Sequence, residues 1–557
     1  MEIEKFAPLF DKPNLSDQER YSIEPFFTNI DQSVFAVTFI PPEVIGALCA
    51  RTSRAKDDLR AIFLNEFIKP FLEEKSEYGE SLRALIDFLH QHPLEVVFSN
   101  PKGREFYIKW LSQFGDDSIA QMAGTHLIYA GISQLAIKHL EDMRLGIAPI
   151  EKSTRFVDYS AKVNGQYLYY ADPTLEGMGL MKEYREVMDN LFDNYTLVNN
   201  KYFEHLKQKY PGEKELVLKT KAFDVARKLL PVSTLSSVSF FGNGQAFEYA
   251  ITRSLDNKLG EIRWMGQRAL DELNKIMPAF LRRIESQDSE DYRKYISERS
   301  DRVNKVLTEV NWPKETIPSQ TNVKLLDYDG DAENKIIAGL IYLEAQEPFS
   351  RVLGRVRRLS AEDKEKILQE VLKDRKQRYY KIPRAFENAY LRFEITMNIG
   401  AWRDLHRHRI HTQYRQRFSP YNGFDTPPEL KEIGLENEFK SAIEKTEELY
   451  EKVRNKDQDI AQYCCALAHK LRFIQYQNLR SFFWEAELRT IPQGHPDYRK
   501  IEHDKIKLIQ KIYPLISKYL LVDMQEYDFA RRGTVEQIQK KEGELKQYFS
   551  RKDAKIN

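Results

Sequence analysis

Asn243, Arg253 and Glu261-Ile262-Arg263 recur later in the chain as Asn478, Arg489 and Asp497-Tyr498-Arg499. The two asparagines stand 235 positions apart (478 less 243) and the two arginines 236 (489 less 253). Outward from these anchors the correspondence continues in order. A strand-like run, His126-Leu127-Ile128-Tyr129, matches Leu391-Arg392-Phe393-Glu394-Ile395. Each runs into an amphipathic helix, Gln134 to Leu140 and Trp402 to Leu405, and each helix delivers a polar, arginine-bearing loop. These loops are Glu151-Lys152-Ser153-Thr154-Arg155-Phe156 and Arg407-His408-Arg409 through Arg415-Gln416-Arg417-Phe418. Upstream, the helical stretch from Glu43 to Ser53 has its counterpart beginning at Glu333. An ordered set of matches at near-constant interval is the mark of tandem duplication.

The repeat decides how the 557 residues are divided. At about 150 residues per domain the length alone allows two to four domains; the duplication reduces this to two related ones, 30–284 and 323–540. Between them, 285–322 is rich in charge and serine, with Pro313 and Pro318 near its end, and reads as a linker or exposed helix. With 42% hydrophobic and 30% charged residues the chain is globular, not a disordered or fibrous protein. Lys plus Arg number 85 and Asp plus Glu 84, so a net charge of +1 provides no global field for nucleic acid or an anionic membrane, and any anion site is local. Three cysteines, Cys49, Cys464 and Cys465, are too few for a disulfide framework and form no CxxC pair. The acidic start, Met1 to Phe6, lacks a signal-peptide pattern and no stretch is apolar enough to span a bilayer. A cytoplasmic protein without membrane attachment is expected.

The densest cationic cluster is His406 to Arg409 with His411, extended by Arg403, Arg415 and Arg417. Guanidinium forks bind phosphate and carboxylate bidentately and remain charged at every working pH. A metal site from His406, His408 and His411 is the rival reading, but neighbouring arginines repel a cation and Asp404 is the sole accompanying carboxylate. A solvated basic surface is the plain alternative. Glu151, Ser153 and Arg155 place an acceptor, a hydroxyl and a fork at alternate positions; in an extended loop they point the same way, towards a polar small molecule such as a nucleotide. Gly242-Asn243-Gly244 reads as a turn. Cys464 and Cys465 read as buried and inert. Neither a Walker loop nor a GxGxxG fingerprint is present.

Arg407-His408-Arg409, preceded by a strand and a helix, resembles the RHR signature of the flavin-dependent thymidylate synthases. The resemblance extends over most of both halves. In the first it comprises Ala50-Arg51-Thr52-Ser53, Gly115-Asp116-Asp117-Ser118, Gly131-Ile132-Ser133, Glu151 to Phe156, Ala226-Arg227, Leu230-Pro231, Asn243, Arg253 and Glu261 to Arg263. In the second it comprises Glu387, Phe393 to Ile395, Arg407 to Arg409, Arg472-Phe473, Asn478 to Ser481 and Leu488-Arg489. The family implies an α+β domain, a homotetramer with sites at subunit junctions, and methylation of dUMP to dTMP with methylenetetrahydrofolate, FAD and NADPH. Two duplicated chains would then form a homodimer, a pseudo-tetramer of repeats.

The departures are complementary. The first half has Asp142-Met143-Arg144 where RHR belongs, or Met143-Arg144-Leu145 if counted back from Ser153; it also has Gln121-Met122 for the family's Glu-His, and Gln245 for an arginine after Asn243. The second half has Arg415-Gln416-Arg417 in place of E-x-S-x-R, and Gln462 where the first has Arg227. By resemblance, Arg155 and Ser153 hold the nucleotide phosphate and Glu151 its sugar or base, Arg227 joins them, and Arg253 or Arg489 polarises the uracil carbonyl. Arg407, His408, Arg409, Asn478, Arg480 and Glu387 hold the flavin. The expected outcome is one composite site, shared between the halves, that survives while its counterpart lapses. A flavin- or nucleotide-binding pseudoenzyme, and an enzyme alkylating another pyrimidine nucleotide, are the competing readings. Nucleic-acid binding is disfavoured by the neutral charge and the lack of a recognition motif.

Overall fold

The computed structural model describes residues 2–73, 76–92, 101–103, 105–106, 109, 118–313 and 317–556; the Gly115-Asp116-Asp117 part of one matched string lies outside them. The first half contributes β1 (Val34–Ala36), β2 (Gly124–Ser133), β3 (Ile147–Glu151), a small hairpin of β4 (Lys162–Val163) and β5 (Gln166–Tyr167), and β6 (Leu235–Asn243). The second contributes β7 (Asn322–Tyr328), β8 (Tyr390–Asn398), β9 (Thr412–Arg415) and β10 (Lys470–Asn478). Two antiparallel four-stranded sheets result, ordered β1-β2-β6-β3 and β7-β8-β10-β9. The two orders are the same, and with helices packed on them the fold is α+β. Along β8, Leu391, Phe393, Ile395 and Met397 are buried in alternation, as the two-residue period of a strand requires.

The first half's main helices are α1 (Pro42–Thr52), α2 (Gln134–Glu141), α3 (Met181–Lys209), α4 (Gly244–Leu255) and α5 (Gly260–Asn274). After α6 (Gln287–Glu309), which buries no residue, the second half supplies α7 (Ala332–Tyr342), α8 (Ile399–Leu405), α9 (Glu436–Arg454), α10 (Leu479–Arg489) and α11 (Pro496–Ile512). Four of these helices begin by one device. Ser133, Asn243, Asn398 and Asn478 each end a long strand, and each side-chain oxygen accepts the N–H three residues on, at 2.8–3.0 Å. Such a cap satisfies a donor the helix cannot pair. Gly242-Asn243-Gly244, expected as a turn, is therefore a strand-to-helix junction: the Asn243 carboxamide is engaged by Ala246 N–H.

The halves share a core. Pro231 and Ala466, 235 positions apart (466 less 231), bridge each other, with Val232 N–H donating to Cys465 O and Leu467 N–H to Leu230 O, both at 2.8 Å. The repeat thus meets itself around a pseudo-twofold axis, where α3 packs on α9. Cys464 and Cys465 lie there fully buried, and burial raises both thiols. Ahead of residue 30, Phe6 joins the main core, and Ile23, Phe26 and Phe27 build a second one with Ile45 and Leu48.

Candidate active site

The halves meet chemically where α8 ends and β3 ends. Asn398 sets the start of α8, which buries Ala401, Trp402 and Leu405 and carries Arg403 and Asp404; the chain then turns through Arg407, His408 and Arg409. Across the junction, β3 delivers Glu151 opposite Val238. Arg403 Nη2 donates to Glu151 Oε1, Lys138 Nζ lies 3.1 Å and Arg407 Nη2 3.6 Å from Glu151 Oε2. Burial alone would raise the Glu151 carboxyl; Arg403 and Lys138 reverse that and hold it below its usual range. Asp404 is held down likewise, against burial, by Arg407, Arg227, Arg489 and Arg155. Guanidiniums from both halves therefore converge on one region.

The Glu151-to-Arg155 segment does not remain extended. Phe156 and Val157 N–H both donate to Ser153 O, closing a turn that takes Arg155 out of the expected alternation. Ser153 N–H donates to Ser53 O at 2.8 Å, tying the loop to the end of α1. Arg155 is clamped on Asp224 by two hydrogen bonds of 2.6 and 2.7 Å, while Lys152 turns to the Lys56 carbonyl. Arg227, 3% exposed, reaches Thr154 Oγ1 at 3.5 Å, yet its Nε and Nη2 have no hydrogen-bond partner among the described residues; nor has Arg403 Nε. Buried cationic donors are almost always bonded, so these three open nitrogens match an anionic ligand.

Beside this junction lies a cavity of about 720 Å3. Arg407, His408, Arg409, Asn478, Arg480, Glu387 and Arg489 all line it, with Arg144, Arg375, Arg378 and Lys381 adding positive charge. Size and charge suit a large anionic cofactor. Arg480 Nη1 bonds Glu387 at 2.8 Å and its Nε bonds the Ile382 carbonyl at 3.0 Å. Arg409 Nη1 donates to the Ile147 carbonyl of the first half. Trp484 adds an aromatic face, with Lys381 Nζ 3.9 Å from its centroid. Arg489 Nε donates to His408 Nε2 at 2.7 Å. Burial and Arg489 hold His408 well below its usual pKa, so the ring is neutral and accepts at Nε2.

The histidines of the cluster are buried rather than forming a solvated surface. His406 lies between Asp142 at 2.8 Å and Glu141 at 3.4 Å of the first half; against the lowering effect of burial, these bonds raise its pKa. His408 and His411 approach Glu485, a carboxylate that the sequence did not place beside them, with ligand atoms within 4.8 Å. That trio is occupied otherwise: Lys505 Nζ bonds Glu485 at 2.5 Å and Gln475 bonds His411 Nδ1 at 2.7 Å.

The counterpart position is different. Asp142 and Arg407 each stand nine residues after their capping residue, Ser133 and Asn398. Glu151 pairs with Val238 of β6, and Arg415 with Phe473, 235 positions on (473 less 238), of β10. Asp142 Oδ2 lies 3.6 Å from Arg415 Nη2, so the charges are exchanged. Arg253 belongs to this second location: it bonds Tyr249 at 3.1 Å and acts on His139, whereas Arg489 lies with Arg407 and Asp404.

The family model of the thymidylate synthase complementing protein matches residues 41–279 and 324–515 in succession. The chain belongs to this family, the flavin-dependent thymidylate synthases. It does so twice over, as a tandem duplication. It is 35% identical over 532 residues to a UPF0159 protein of Chlamydia muridarum, covering 93% of this chain and 97% of that protein. A UPF0159 protein of Chlamydia pneumoniae is 32% identical over 527 residues, covering 92% and 96%. The UPF0159 protein Ta1429 of Thermoplasma acidophilum is 28% identical over 523 residues, covering 87% and 96%. Among solved structures, the UMP/dUMP methylase PolB from Streptomyces cacaoi, bound with 5-Br dUMP, aligns at 13% identity and TM-score 0.29, over 36% of this chain and 96% of that one.

Against the thymidylate synthase background, several residues escape sequence reading. Asp224 and Lys138 are single charges in helical stretches, with no motif to mark them as the partners of Arg155 and Glu151. Arg403 and Asp404 are read in the sequence as an extension of the cationic cluster and its accompanying carboxylate; the folded junction adds that they face the other half. Among the described residues no helix is long and apolar enough to cross a membrane.

Proposed function

We propose that this chain is an FAD-dependent thymidylate synthase that methylates dUMP to dTMP with methylenetetrahydrofolate and NADPH, through a composite site shared between repeats 30–284 and 323–540. The observation that carries the reading is the 720 Å3 cationic cavity, lined by Arg407, His408, Arg409, Asn478, Arg480 and Glu387 and adjoining the buried Glu151 of the other half. These residues fit FAD: the arginines match its pyrophosphate, and Trp484 its aromatic rings. Bound there, FAD supplies the hydride carrier that the protein itself lacks. Arg155, Ser153 and the open nitrogens of Arg227 hold the nucleotide phosphate, and Glu151 orients its sugar or base. Arg489, braced on neutral His408, aims its guanidinium at the uracil carbonyl and stabilises the charge that develops as the ring is reduced. Two chains associate as a homodimer in the cytoplasm.

The test is direct. Purified protein carries flavin absorption near about 450 nm, and with dUMP, methylenetetrahydrofolate and NADPH it produces dTMP. A colourless protein that shows no dTMP on flavin addition refutes the reading. NADPH oxidation without dTMP points instead to another pyrimidine nucleotide as acceptor.

A further inference from the structure

Beyond residue 515, where the family match ends, the chain leaves the second half and returns to the first. Its path is tied at both ends. Leu521 N–H donates to Glu487 Oε1 and Asp523 N–H to Thr490 Oγ1, each at 3.2 Å, and Arg499 Nη2 donates to the carbonyls of Asp523 and Gln525 at 3.3 and 2.8 Å. At the far end Phe529, 5% exposed, meets Tyr210 edge-on at 4.9 Å, and Arg532 Nε donates to Glu213 at 2.8 Å. Tyr210 and Glu213 follow α3 of the first half.

Between these anchors Arg531 lies over Phe156, 4.1 Å from the ring centroid, and Arg54 is 5.0 Å from the same ring. Phe156 directly follows Arg155. Arg531 Nε is buried with no hydrogen-bond partner among the described residues, and Asp224 already engages Arg155 through both oxygens. Burial, with Arg155 beside it, brings the Arg531 guanidinium down to about 10. Arg155 is buried, Arg531 partly so and Arg54 exposed; cationic groups brought together with their carboxylate already engaged are stabilised by an arriving anion.

We propose that Arg531 is a phosphate-binding residue of the nucleotide site, delivered by the C-terminal strap 521–533 to the loop that bears Ser153 and Arg155. The proposal rests on the pyrimidine-nucleotide reading above. Calorimetric titration of the full-length protein with dUMP, deoxyuridine and inorganic pyrophosphate tests it. Arg531→Gln weakens dUMP about 10-fold or more, the loss of a charge-assisted contact, and leaves deoxyuridine binding unchanged. Arg302→Gln, on α6 where the guanidinium bonds Glu298 at 2.9 Å, binds dUMP as wild type does. Equal dUMP affinity in wild type and Arg531→Gln overturns the proposal and leaves the nucleotide reading standing. Pyrophosphate binding lost in Arg531→Gln supports the clamp even if dUMP binds wild type no better than pyrophosphate, an outcome that refutes the nucleotide reading alone. Wild-type protein that binds neither refutes both. Arg531→Lys keeps charge and stem without the fork and binds with intermediate affinity; should Arg531→Gln not fold, a stable lysine variant as tight as wild type overturns the proposal.

Discussion

Arg407 Nη2 of the second half stands 3.6 Å from Glu151 Oε2 of the first, within one chain. Its counterpart pair, Asp142 and Arg415, keeps the same 3.6 Å separation with the charges exchanged. An ion pair between the halves is thus kept at both locations, with its polarity reversed.

Because the two motifs meet within one chain, Arg155→Ala and Arg409→Ala each abolish dTMP synthesis, and an equal mixture of the two variant proteins stays inactive. Recovery of activity on mixing, measured as dTMP formed, would place the composite site between chains instead.

Arg489 and Arg253 separate by location. Arg489→Ala lowers the rate of dTMP formation by about 100-fold or more, the scale of losing one preorganised donor at developing charge. Arg253→Ala, beside Tyr249 and His139, changes the rate little. Steady-state kinetics on both variants decide this.

Arg480→Ala removes a cavity-lining cation that is held on Glu387 and the Ile382 carbonyl. Flavin retention weakens about 10- to 100-fold, matching the loss of a charge-assisted contact. Absorbance of the protein after dialysis reports it.

Glu151→Ala leaves Arg403 buried without its carboxylate and Lys138 with Glu141 alone. Removing one partner from a buried ion cluster costs about 3–5 kcal/mol, so the variant melts several degrees below wild type in a thermal scan. Its loss of activity is accompanied by loss of stability, unlike that of Arg489→Ala.

Glu261 accepts hydrogen bonds from Ser133 N–H and Oγ at 2.7 and 2.6 Å and from Tyr463 of the second half at 2.7 Å, yet burial pushes its pKa up to about 7. The folded state therefore holds this proton more tightly than the unfolded chain, whose carboxyl titrates near about 4.5. The associated stability is present below pH about 4.5 and is lost as pH rises through about 7. The shift corresponds to about 3 kcal/mol. Denaturant titrations across this window show wild-type stability falling more steeply with pH than Glu261→Gln; identical slopes would exclude the assignment.

The sequence by itself determined the duplication, because anchors such as Asn243 and Asn478 are local signals: each caps the helix that follows it by accepting the N–H three residues on, and the same cap is required wherever the strand-to-helix unit is copied. The RHR and E-x-S-x-R strings, and their complementary damage, were legible for the same reason. The extended alternation expected of Glu151, Ser153 and Arg155 was not kept, since Asp224, 69 positions beyond Arg155, bonds its guanidinium from the far side of a turn. Only the tertiary structure decided that Arg407 faces Glu151, that Arg489 rather than Arg253 shares its region, and that the strap carrying Arg531 returns to Phe156. The Arg407–Glu151 and Arg531–Phe156 pairings join residues more than 200 positions apart (407 less 151, 531 less 156), and no local propensity or spacing encodes which side chains will meet when two copies close around a common axis.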